Sequence, residues 1–227
     1  MKKLFLATNL VTFLAIVIGD VFFIETGSLL AKGLASACFV LLGGINLIYA
    51  LKNKGNKKFC IVMLVGLFFG MMGDILLEIE FITGAILFAI GHVIYFVAYC
   101  VLEKLHWLDL IAGLIVFASA ALVILFAPIF DFGGNVMKIL CLIYALFISL
   151  MLGKSTVNFF RNRNKLNLIL FVGSILFFFS DLMLLINNFS NVMDYALILC
   201  LSTYYPAQTL LAFSLLNASK NKLQMNP

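Results

Sequence analysis

Charge is scarce in this sequence. Only 11% of its 227 residues are Asp, Glu, Lys or Arg, too few to clothe a water-soluble domain of that size, which excludes a soluble globular protein. Histidine is scarcer still. His92 and His106 are the two present, and they lack the i, i+4 spacing by which a helix presents ligands to zinc. No Gly-x-Ser-x-Gly elbow offers a serine nucleophile. Cys38, Cys60, Cys100, Cys141 and Cys200 stand singly inside apolar runs, which argues against a disulfide framework or a cysteine-based zinc site. A retinal-type pigment would need a lysine deep within a late apolar run, and none is there. The sequence therefore calls for no metal and no cofactor.

What is present is apolar sequence in long runs. Eight of them, at about 4–24, 29–51, 59–79, 81–102, 107–127, 136–155, 166–187 and 194–216, each approach the roughly 20 residues that cross a bilayer. The loops between them are too short to fold alone. The reading is an all-α polytopic membrane protein of eight transmembrane helices, one integral membrane domain over 1–227. The net charge of +5 reflects topology rather than a nucleic-acid partner. Lys2, Lys3, Lys52, Lys54, Lys57, Lys58, Lys104, Lys154, Arg161, Arg163, Lys165, Lys220 and Lys222 fall on one side, leaving only Lys32 and Lys138 of the 15 basic residues on the other. That asymmetry places both termini in the cytoplasm, most simply of a bacterial cell with the chain in its inner membrane. A seven-span arrangement would scramble the split. Met1-Lys2-Lys3 and the run after it read as a retained signal anchor, and Trp107 as an interfacial anchor.

Two runs carry ionisable residues where they are costly. Between Gly66 and Tyr99, Asp74 sits on one helix and His92 on the next, and such groups at membrane depth face a protein or water-filled interior. Gly66, Gly70, Gly73 and Asp74 share one helical face. Gly84, Phe88, Gly91, His92, Tyr95 and Tyr99 share another, and small residues let such faces approach closely. The segment GLFFGMMGDILL from Gly66 is echoed by GSILFFFSDLML from Gly173. Asp74 and Asp181 thereby occupy matched positions on parallel helices, which suggests a parallel 4+4 duplication. Helical rise puts Asp74 about 6 Å, Asp181 about 9 Å and His92 about 16 Å from the non-cytoplasmic rim. His92 is therefore expected to support the site from below the aspartates. Tyr204, Tyr205 and Gln208 reach similar depth. Asp20 reads as a wetted helix end, Glu78 and Glu80 as rim charges, Lys32 as a snorkelling residue or a headgroup or carboxylate contact, and Tyr144 and Asn46 as packing residues.

Lys32, Gly73-Asp74 with Leu76-Leu77, Gly84…Gly91-His92…Tyr95, Gly173…Phe177…Ser180-Asp181 and Tyr204-Tyr205…Gln208 together resemble the YhhN-like lysoplasmalogenase family, in order over essentially the whole chain. The family's Lys-Pro pair is here Lys32-Gly33. The resemblance implies hydrolysis of the vinyl ether bond of a lysoplasmalogen, a lysophospholipid drawn from the membrane. The products are a fatty aldehyde and glycerophospho-ethanolamine or -choline. It matches the family's paired aspartates to Asp74 and Asp181 and its histidine to His92. The chemistry suits two carboxylates. Vinyl ethers hydrolyse by protonation at carbon, then water attack on the oxocarbenium ion, and two carboxyls in one low-dielectric site share a proton and divide the roles without a metal. Asp74 and Asp181 are thus the expected catalytic pair, with Lys32, Glu78, His92, Tyr95, Ser180, Tyr205 and Gln208 binding substrate or supporting the site. A small proton-coupled transporter or lipid-binding membrane protein is the alternative. Oligomeric state and headgroup preference leave no mark on the sequence.

Overall fold

In the computed structural model, which describes residues 2–218, the described chain is eight helices joined by short loops. They are α1 (Lys2–Thr26), α2 (Leu29–Lys52), α3 (Lys57–Leu77), α4 (Phe81–Leu102), α5 (Trp107–Phe126), α6 (Asn135–Arg161), α7 (Lys165–Phe189) and α8 (Ala196–Asn217). All eight are long and apolar enough to cross a membrane, as in an integral membrane protein. Lys220 and Lys222 of the basic tally lie outside the described residues.

Four of the helix starts carry polar side-chain caps at the ends of the apolar runs. Asn56 and Asn164 accept from the third backbone N–H of α3 and α7, and Glu80 accepts from Ile82 and Thr83 at the head of α4. His106 and Asp109 form a reciprocal capping box on α5. One boundary departs clearly from the sequence reading. α6 continues six residues beyond 155, to Arg161. Its last turns look loop-like because they carry Lys154 and Asn158, yet both are buried. Lys154 donates to the Asp109 carboxylate at 2.7 Å and to the Lys104 carbonyl at 3.0 Å. It is therefore an internal ion pair and not part of the basic surface.

Consecutive helices pack as hairpins, α1 on α2, α3 on α4, α5 on α6 and α7 on α8, with α2 also on α3 and α6 also on α7. Two long-range pairings close the bundle, α2 on α8 and α6 on α4. Exchanging α1–α4 for α5–α8 turns each of these pairings into another of them, the pattern a 4+4 duplication would leave. The exchange fails in two places, the first being that α3 packs on α8 while α7 has no comparable packing on α4. In the second, α1 reaches past α2 to touch α8, whereas α5 packs chiefly on α6. Glycines permit the closest approaches: a Cβ on Gly84 would collide with the Leu77 backbone, and one on Gly153 with the Gly113 backbone. Asn9 and Asn46 exchange hydrogen bonds at 3.0 and 2.9 Å, joining α1 to α2 without an orphaned amide.

Candidate active site

Asp74, Asp181 and the side chains that meet them lie in the half of the bundle nearer the α3–α4 loop. Here α2, α4, α6 and α8 begin, while α3 and α7 end. Helical side chains lean toward their own N-terminus. Donors on the even-numbered helices therefore lean up toward this rim, and carboxylates on α3 and α7 lean down to meet them.

Asp74, 2% exposed, accepts through Oδ2 from the Ser36 hydroxyl of α2 at 2.5 Å and the Tyr204 hydroxyl of α8 at 2.7 Å. Behind Tyr204 runs a chain in which Tyr95 donates to Gln208 Oε1 at 2.8 Å and Gln208 Nε2 donates to the Tyr204 oxygen at 3.0 Å. Gly70 makes room for that amide, since a Cβ there would sit 2.5 Å from Gln208 Nε2.

Asp181 has a matching arrangement. Its Oδ2 accepts from the Tyr144 hydroxyl of α6 at 2.7 Å, and His92 Nε2 of α4 lies 3.1 Å away. The same Nε2 is 2.9 Å from the Tyr144 oxygen. With the proton on Nε2, His92 donates into this pair of oxygens, and Nδ1 is left buried with no partner among the described residues. Each aspartate thus takes one donor from the second helix of its own half and one from the fourth helix of the other. His92 is level with Asp181, not below it. α7 runs on to Phe189, so Asp181 lies about 12 Å from its end, and the two side chains lean toward each other.

The two carboxylates are not bonded to each other among the described residues. Each has its own donors, and Phe177 stands between the networks, with its ring 4.8 Å from that of His92 and 5.3 Å from that of Tyr204. Tyr144 lies within electrostatic range of both aspartates. Only Asp181 opens outward. It and Tyr144 form part of the wall of a cavity of about 270 Å³, whose lining is otherwise almost wholly apolar and includes no second charge. At the rim end stand Phe81 and Phe189, whose rings are 5.6 Å apart.

The other expected residues divide. Lys32 pairs with Glu78 at 2.6 Å and lies over the Phe23 ring, so Glu78 is more than a bare rim charge. Ser180 turns away from Asp181 toward Cys200, with Oγ 3.4 Å from Sγ. The Tyr205 hydroxyl is buried and unpartnered among the described residues, and so is Oδ1 of Asp20, which is 8% exposed and not a wetted helix end. The sequence reading passed over Ser36 and placed Tyr144 among packing residues. A tyrosine in an apolar run carries no mark of its own. Its signal was position, about 13 Å from the start of α6, level with a carboxylate that needed a donor.

The sequence profile of the YhhN family matches residues 30–215, which takes in every residue of both networks. No curated protein and no solved structure matches the chain.

Proposed function

The chain belongs to the YhhN family, and from that premise we propose that it is a lysoplasmalogenase-like hydrolase. On this reading it cleaves the vinyl ether of a single-chain ether lipid. The observation that carries the proposal is Asp181, the one charged group on the wall of an apolar cavity that reaches the rim, tied there to an imidazole and a phenol. A cavity of that kind suits an aliphatic chain, and a carboxyl with an imidazole behind it suits proton transfer to carbon.

In the proposed reaction the protonated Asp181 carboxyl gives its proton to the β-carbon of the vinyl ether. The electron pair of the C=C bond forms the new C–H bond, and the adjacent carbon becomes an oxocarbenium ion. The Asp181 carboxylate, held by Tyr144, then faces that cation at close range in a site with little water to screen it. Water adds to the cation, losing a proton to the Asp181–His92 pair. The hemiacetal collapses to aldehyde and glycerol hydroxyl, and the carboxyl is again protonated. Asp74, closed off behind Phe177, contributes a second negative charge to the same low-dielectric layer and keeps the role of partner to Asp181 without a shared hydrogen bond. Lys32 is buried, paired with Glu78 and off the cavity lining, so a phosphate headgroup would reach it only by displacing Glu78.

The test is aldehyde release by purified protein from a lysoplasmalogen in detergent, with the ester analogue as comparator. Aldehyde from the vinyl ether alone supports the reading. No turnover of any vinyl ether lipid, with proton-coupled flux in liposomes, would replace it with the transporter.

A further inference from the structure

The cavity is too shallow for the lipid that the proposed reaction needs, and the surplus has one way out. Its inner end is formed by Phe178 and Ile148. Phe178 is three residues below Asp181 and Ile148 four below Tyr144, so the floor lies about 5–6 Å past the reacting position. A lipid chain spans a leaflet, roughly 15 Å. If the vinyl ether sits at Asp181, most of the chain beyond it cannot stay inside. The cavity wall is covered by neighbouring helices on every side but one. Of its lining residues, only Ser119 and Val123 are themselves exposed, and both are on α5. This is one of the two places where the halves differ. α1 closes against α8, but the equivalent pair, α5 and α4, has no comparable packing. The exposed edge faces the apolar surroundings of a membrane-spanning helix.

Resting on the reading of the cavity as a lipid site, we propose that the seam between α4 and α5 is a portal to the bilayer. A single unbranched chain slides in sideways through it, reactive end to Asp181 and headgroup at the rim beside Phe81 and Phe189. The rest of the chain trails past Ser119 and Val123 into the surrounding lipid. The aldehyde leaves by the same seam, directly into the membrane where it dissolves best.

Cys141 lines the cavity and is a free thiol, so it reports occupancy without any turnover. The experiment uses the full chain in detergent with a saturated 1-O-alkyl lysophospholipid, which binds without a cleavable bond. Maleimide labelling of Cys141 is read at the peptide level, in wild type, Ser119→Trp, Val123→Trp and the control Leu114→Trp, exposed on α5 away from the cavity. The lipid is expected to protect Cys141 in wild type and the control. The seam variants should need at least tenfold more lipid for equal protection. In parallel, their loss of kcat/KM on long-chain vinyl ethers should exceed by tenfold or more their loss on chains short enough to end inside the cavity. Protection unchanged by both seam variants, or absent in wild type, would overturn the portal. So would equal losses on long and short chains. Protection that shifts as expected in a protein that releases no aldehyde would leave the portal standing and remove the hydrolase reading alone.

Discussion

A buried carboxylate is only as useful as the donors around it, and the two aspartates differ in what else they touch. Asp181 reaches the cavity and Asp74 does not, so their isosteric amides should behave differently. Asp181→Asn is expected to lower kcat by about 10²–10⁴-fold, the range for loss of a general acid, while the protein stays folded. Asp74→Asn should lose less activity but also melt earlier, because Ser36 and Tyr204 then face a neutral acceptor. Parallel measurement of aldehyde release and thermal unfolding separates the two, and equal kinetic loss with unchanged melting would return them to equivalent roles. Tyr144→Phe removes one hydrogen bond to a charged group, worth about 1.5–3 kcal/mol, and should cost about tenfold or more in kcat/KM with little change in melting. A silent Tyr144→Phe would make that phenol the packing residue that its apolar setting suggests.

Among the helices, contact between backbones matters more than capping. Gly84→Ala places a methyl against the Leu77 backbone, where no side chain can yield, and should destabilise by about 1–3 kcal/mol. Gly44, also helical, has nothing within 4 Å of its absent Cβ. Gly44→Ala should be neutral or stabilising by up to about 1 kcal/mol, and thermal melts of the pair check both. At the other end of the bundle, Lys154→Met strands Asp109, whose side chain is 0% exposed, and should cost about 3–5 kcal/mol, most of it recovered by adding Asp109→Leu. The number of helices was legible because each spanning segment advertises itself by length and apolarity. The end of α6 was not, because a lysine and an asparagine inside a helix look like loop until Asp109 and the neighbouring backbone are seen to accept their hydrogen bonds. Asp74, Asp181 and His92 were legible since ionisable residues at membrane depth have few idle explanations. Ser36 and Tyr144 were hidden, because only the packing of α2 on α3 and α6 on α7 reveals which carboxylate each serves.

At the scale of the whole chain, eight spans and the split of basic residues together predict both termini in the cytoplasm. With Lys154 removed as an internal pair, twelve basic residues still stand against two on the other side. A reporter fused after Pro227 should therefore be active only in the cytoplasm, and an external signal would invert every depth inferred from the loops. The crossing of donors between halves has a further consequence, in the order of synthesis. Asp74 and the Tyr204 that satisfies it are 130 residues apart. At roughly 5–20 residues per second, the carboxylate has only Ser36 for about 6–26 s before this second donor is made. Throughout that interval α3 carries a half-satisfied carboxylate, which favours its staying beside the insertion machinery over diffusing into lipid. A ribosome stalled between α7 and α8 would hold a chain complete in its cavity, its histidine and one aspartate, yet still unable to let the other go.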